Sequence, residues 1–185
     1  MSKKKILFII GSLRKKSFNS TMAKYVEEIV RDKADVEILE YSKLPYMNQD
    51  IEFPTPEEVE KVREKVSSVD GIWIFTPEYN YNIPGVLKNL LDWLSRPLKP
   101  FAFQEPTAIS GKFVTISGAA GRSAAAGARE SLAELLGFVR TEVIGEAGTG
   151  VSVPAEAFET NELTLSEENK EALKKQAEEF LSALK

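Results

Sequence analysis

Residues 6–20 read Ile-Leu-Phe-Ile-Ile-Gly-Ser-Leu-Arg-Lys-Lys-Ser-Phe-Asn-Ser, an apolar run that breaks into hydroxyl, amide and guanidinium groups. The apolar run, Ile6 to Ile10, suits a strand buried on both faces of a parallel sheet and is too short for a helix. Behind Gly11 stand Ser12, Arg14, Ser17, Asn19 and Ser20, all able to donate to one anion. Met22, Ala23, Val26, Ile29 and Val30 then share one helical face and predict a helix over Asn19–Lys33. Its free amides and dipole would point at the same anion. The order strand, polar loop, helix therefore predicts a phosphate cradle. The competing reading is a polar helix cap with solvated Lys15 and Lys16. No GK[ST] closes the loop, and the later glycines of G-x-G-x-x-G are missing, so it is neither a P-loop nor a Rossmann fingerprint.

Composition narrows the chemistry. The 185 residues fit one domain, and 43% hydrophobic with 28% charged residues is ordinary for a globular chain. A net charge of −4 with both signs interspersed argues against nucleic acid as a partner. With no His and no Cys, a Ser-His-Asp triad, a thiolate nucleophile and a structural zinc site are excluded, and no metal is expected. An enzyme of this composition needs a bound cofactor to supply the reactive atom. The apolar run after Lys3–Lys5 is too short for a secretory signal, and no stretch reaches transmembrane length, so the sequence predicts a cytoplasmic protein away from membranes.

Further along, Val36–Glu40 predicts a second strand, and Tyr41–Pro54 a loop. Thr55-Pro56-Glu57-Glu58 reads as a capping box with proline at the first helical position, opening a helix with Val59, Val62, Val66 and Val69 inward. Gly71–Thr76 is almost wholly apolar and predicts a central third strand. Pro84 starts a helix carrying Leu87, Leu90, Leu91 and Leu94, in which Arg96 can pair with Asp92. Lys112–Ser117 predicts strand four, Gly118–Gly121 a loop, Ser123–Leu136 a helix closed by Gly137, Val139–Ile144 strand five, and Ser166–Leu184 the last helix. Alternating strands and helices imply an α/β doubly wound, five-stranded parallel sheet in one domain, with helices on both faces. For strand order 2-1-3-4-5, the loops after strands one and three flank the point where the winding reverses, and the loop after strand four is adjacent.

The loop after strand three, Pro77-Glu78-Tyr79-Asn80-Tyr81-Asn82, offers aromatic faces and amides to a flat ligand; equally, its asparagines can form turns and Glu78 can cap a helix. Ser117 and Gly118 permit close approach of a ligand or simply a turn. Trp73 and Phe75 alternate along a strand and predict core.

Three stretches carry a resemblance: GSLRKKSFNS at 11–20, TPEYNYNIPGVLKNLLDWLSRP at 76–97, and KFVTISG at 112–118 leading to AGARESLAELLGF at 126–138. Together they resemble the NADPH-dependent FMN reductase family of the flavodoxin-like fold, most of all its quinone, chromate and azo-dye reductase branch. The resemblance covers nearly the whole chain, 1–185 as a single flavodoxin-like FMN-binding domain. It implies an oxidoreductase that passes hydride from NADPH or NADH through FMN to a small acceptor. It further implies that Ser12, Arg14, Ser17, Asn19 and Ser20 hold the FMN phosphate, that Pro77, Glu78, Tyr79 and Asn80 run along the ring, and that Ser117 and Gly118 approach from the other side. A homodimer or homotetramer is implied, with the helix Leu87–Trp93 as an interface element. The alternative in another class is a non-enzymatic FMN electron carrier on the same fold; a phosphate-binding hydrolase lacks a nucleophile in the cradle.

Overall fold

The computed structural model describes residues 3–184. Five parallel strands lie in the order β2 (Ala34–Ile38), β1 (Lys4–Ile10), β3 (Gly71–Thr76), β4 (Phe113–Ala120), β5 (Glu142–Val143), and β6 (Thr149–Ser152) also pairs with β4. Between and after them run α1 (Phe18–Val30), α2 (Glu57–Ser67), α3 (Gly85–Leu94), α4 (Ala126–Phe138), α5 (Ala155–Thr160) and α6 (Glu167–Ala183). The alternation of side chains along each strand divides the core in two. Ile6, Phe8 and Ile10 of β1, with Trp73 and Phe75 of β3, pack under α1 and α6. Leu7 and Ile9, with Ile72 and Ile74, pack under α2, α3 and α4. The Trp73 and Phe75 rings stack at 5.5 Å and 4°, as core aromatics. Each such buried side chain stabilises the fold by about 1.5–3 kcal/mol.

Several expectations are corrected. Strand β4 does not stop at Ser117: it runs on through Gly118, Ala119 and Ala120 because β6 pairs with those four residues, Ser117 opposite Thr149 and Ala120 opposite Ser152. The fifth position of the sheet is thus shared. β5 contributes two residues, opposite Phe113 and Val114, and β6 takes over after the excursion Ile144–Gly148. At Gly148 the backbone has φ +60, and an added Cβ would lie 1.8 Å from the Ile116 carbonyl oxygen, so only glycine fits there.

Gly137 lies inside α4, and Arg140 takes the left-handed position instead. Arg140 N–H donates to Gly137 O at 3.0 Å and Thr141 N–H to Leu136 O at 3.1 Å, the paired bonds of a Schellman end. The capping box at Thr55 also fails. Pro56 is the N-cap of α2 with no side-chain cap, and the Thr55 hydroxyl donates back to Glu52 O. Arg96 pairs with the buried Glu52 through two bonds of 2.9 and 2.8 Å, while Asp92 pairs with Lys88. The apolar face of α3, Trp93 included, is buried within this chain, and Trp93 Nε1 donates to Pro45 O at 2.8 Å.

Candidate functional site

At the carboxyl ends of β1, β3 and β4 lies a cavity of about 340 Å3, in the size range of small-molecule sites. Ser12, Arg14, Ser17, Phe18 and Asn19 form one side, Pro77, Glu78 and Tyr79 a second, Ala119, Ala120 and Gly121 a third, and Phe158 of α5 a fourth. A larger cleft of about 590 Å3 runs between β2 and α2. Its two lysines are taken up by glutamates, Lys65 by Glu37 and Lys61 by Glu58, and Glu40 and Glu64 leave the lining net acidic, unsuited to an anion.

The first wall keeps donors free. Ser17 is the N-cap of α1 yet makes no side-chain cap bond, and the first turn of α1 carries no acidic residue. The opening amides of a helix lack carbonyl partners by geometry, so they and the dipole give this end of the cavity a positive field. Arg14 adds a full charge beside them. Tyr41 steadies the strand end below. Its hydroxyl donates to Ile10 O at 2.6 Å, and burial pushes the phenol well above its usual pKa, with Tyr79 and Glu40 adding to the shift.

Asn19 works differently from expectation. Its buried carboxamide donates to Ala119 O at 3.2 Å and accepts from Ala119 N–H at 2.9 Å. Thr76 opposite Gly118 is the last β3–β4 pair, so this side chain takes the place of a strand where β3 has ended. It braces α1 against β4.

The second loop is a tight turn. Asn80 and Tyr81 have φ +53 and +61, and Tyr79 and Asn82 exchange two backbone bonds of 3.1 Å, a type I′ arrangement. Asn80 is exposed and is not among the residues that line the cavity. Glu78 accepts from the Ser123 hydroxyl and from the Ala128 amide, capping α4 from outside its own segment. Burial alone would raise the Glu78 carboxyl. The bonds from Ser123 and from the Ala128 and Gly127 amides, with Arg129 nearby, outweigh it and hold the group below its usual value.

Ser117 and Gly118 do not line the cavity. Ser117 is fully buried, accepting from Trp73 Nε1 at 3.0 Å and donating to Gln176 Oε1 at 2.9 Å. A Cβ on Gly118 would lie 2.8 Å from Ala125 Cβ and 2.9 Å from Thr76 O, so its smallness serves packing. Ser20 lines an adjoining cavity of about 420 Å3, which shares Ser12 and Arg14 with the first. Phe158 and its neighbour Asn161 escaped the sequence reading. The signal for them was a proline at 154 and an asparagine at 161, the N-cap and left-handed C-cap of α5.

The model of the NADPH-dependent FMN reductase family matches residues 4–153. The chain belongs to that family. It is accordingly an oxidoreductase that works with FMN and NAD(P)H, rather than a passive electron carrier. An NAD(P)H-dependent FMN reductase from Pseudomonas aeruginosa is 34% identical over 175 residues, covering 93% of this chain and 90% of that protein. A quinone reductase from Escherichia coli K12 is 41% identical over 107 residues, which span 55% of this chain and 57% of that protein. Among solved structures, the flavoenzyme NAD(P)H:(acceptor) oxidoreductase FerB from Paracoccus denitrificans superimposes with a TM-score of 0.83 at 26% identity, covering 98% and 97% of the two chains. Among the described residues, no helix is long and apolar enough to cross a membrane, and no cluster of potential metal ligands occurs.

The cavity's chemistry fits FMN. It pairs a cation and free helix amides, suited to a phosphate, with proline and aromatic walls suited to a flat ring.

Proposed function

We propose that this cavity holds FMN, with the phosphate beside Arg14, Ser12, Ser17 and the amide end of α1, and the ring against Pro77 and Tyr79. The observation that carries the reading is that an uncapped helix start, Arg14 and an aromatic wall converge on one space at the carboxyl ends of central strands. Bound FMN supplies hydride acceptance and delivery, for which a chain without His or Cys has no side chain. Arg14 and the helix amides neutralise the phosphate, and Ser12 and Ser17 orient it. Asn19 acts indirectly, fixing the start of α1 through Ala119. Glu78, engaged by Ser123 and α4, holds the second loop in place and is not a free proton donor.

The second substrate in this reading is a small electron acceptor, a quinone first, with azo compounds and oxyanions such as chromate as the other acceptor types. The quinone reductase relatives support it. A homodimer or homotetramer in the cytoplasm completes the proposal. Tyr46, Tyr81, Phe101 and Phe138, each more than 80% exposed, are the large apolar side chains available for assembly to cover; the inward face of α3 is already occupied.

The test is spectroscopic. The purified protein, loaded with FMN and mixed anaerobically with NADPH or NADH, should bleach, and its colour should return on adding a quinone. FMN that stays oxidised with either nucleotide, or a protein that cannot bind FMN, overturns the reading.

A further inference from the structure

Arg14 lies in an exposed loop, where a guanidinium on a flexible stem ordinarily samples many rotamers. Here it is held from a distant part of the chain. Nη1 donates to Asn161 Oδ1 at 2.8 Å, and the guanidinium carbon sits 4.5 Å from the centroid of the Phe18 ring. Phe18 in turn meets Phe158 edge-on, with centroids 5.2 Å apart at 88°. Phe158 belongs to α5 and Asn161 is its left-handed C-cap at φ +59, a segment that directly follows the pairing of β6 on β4. Asn161 takes up one of five guanidinium donors, which leaves the others for the cavity that Arg14 lines. The family match ends at residue 153, so Phe158 and Asn161, the distal half of this clasp, lie beyond the matched segment.

We infer that Asn161 is a positioning residue for the cofactor. It fixes the Arg14 guanidinium against Phe18 before a phosphate arrives, so that binding orders one long side chain fewer. The inference rests on the reading of Arg14 as the phosphate ligand.

Asn161→Gly is the discriminating variant. Glycine accepts φ +59 without strain, so the α5 end keeps its backbone and only the carboxamide is lost. Four apoproteins are titrated with FMN by quenching of flavin fluorescence: the native chain, Asn161→Gly, Arg14→Ala and the double variant. Thermal melts without flavin accompany them. Asn161→Gly should weaken FMN binding by about threefold to tenfold, the range for immobilising one long side chain. Its apoprotein should melt with the native one, and in the Arg14→Ala background the same change should cost nothing more. A merely structural role would instead lower the melt and weaken binding equally in both backgrounds; that result, or native FMN affinity in Asn161→Gly, overturns the inference. If Arg14→Ala weakens binding while Asn161→Gly does not, the inference alone falls. If Arg14→Ala itself binds FMN as the native chain does, the phosphate reading falls with it.

Discussion

The Gly11–Ser20 segment and the Ser117–Ala120 stretch both lie at the carboxyl ends of central strands and both carry serine hydroxyls, yet the fold uses those hydroxyls in opposite ways. In the first, Ser17 caps nothing with its side chain, and Ser12 only accepts from the Arg14 amide at 3.3 Å. In the second, the Ser117 hydroxyl bridges Trp73 and Gln176, and both backbone groups of Ala119 are taken by Asn19. Both stretches hold serines, but the first adds Arg14, Lys15 and Lys16, and only there are serine hydroxyls left over. A binding site is a place where hydrogen-bonding capacity is left over, and only the tertiary partners decide where that is.

The sharpest way to break the comparison is at the paired stretch. Gly148→Ala forces a Cβ into Ile116 O at a left-handed position, which should destabilise the fold by about 3 kcal/mol or more in chemical denaturation, through overpacking and backbone strain together. At the open loop, Arg14→Ala should leave stability near native and weaken FMN about tenfold or more, as loss of a charge-assisted bond of about 1.5–3 kcal/mol requires. Equilibrium dialysis against FMN measures it. Ser117→Ala should show the reverse pattern: stability falls by about 1–3 kcal/mol as the buried Trp73 N–H loses its acceptor, while FMN affinity stays native. A large loss of FMN affinity in that variant would erase the distinction between the two regions.

Two smaller effects refine it. Glu78 has a folded pKa below its unfolded one, so its contribution is present above the ordinary carboxylate range and fades as pH falls through the folded value. Glu78→Gln should therefore flatten part of the loss of stability on acidification, seen in melts from neutral pH downward; an unchanged slope would remove Glu78 from its capping role. Lys15→Ala, an exposed neighbour of Arg14, should change FMN affinity least of all.

What was legible in the sequence follows from the same distinction. Strands β1 and β3 announce themselves as apolar runs because both their faces are buried, and the expected bounds of β3, Gly71–Thr76, match those observed. Alternation with helices implies the parallel, doubly wound sheet, and the observed order 2-1-3-4-5 is the one that the resemblance to the flavodoxin-like fold implies. Strand β6 was hidden because Thr149-Gly150-Val151-Ser152 has no strand pattern of its own; it is a strand by pairing with β4. The Schellman end at Arg140 was hidden because glycine is the usual left-handed residue, and here one lay three positions earlier inside the helix. At the cavity, Ser12, Arg14 and Ser17 were legible as candidate anion donors from local order, whereas Pro77 and Tyr79 rested on the family resemblance. Phe158 was not legible, since it reaches the cavity from α5, well over a hundred residues beyond the cradle.

The Asn19 brace has a temporal consequence. β1, α1 and β2 are consecutive and can pair early from short-range contacts, but the start of α1 is set by Ala119, 100 residues downstream. Contacts of such sequence separation form late, after the costly loop between them has closed. The proposed phosphate cradle is therefore encoded near the amino terminus but matures with β4. During synthesis, a ribosome-bound chain that has exposed only its first ninety residues carries the motif without the means to aim it.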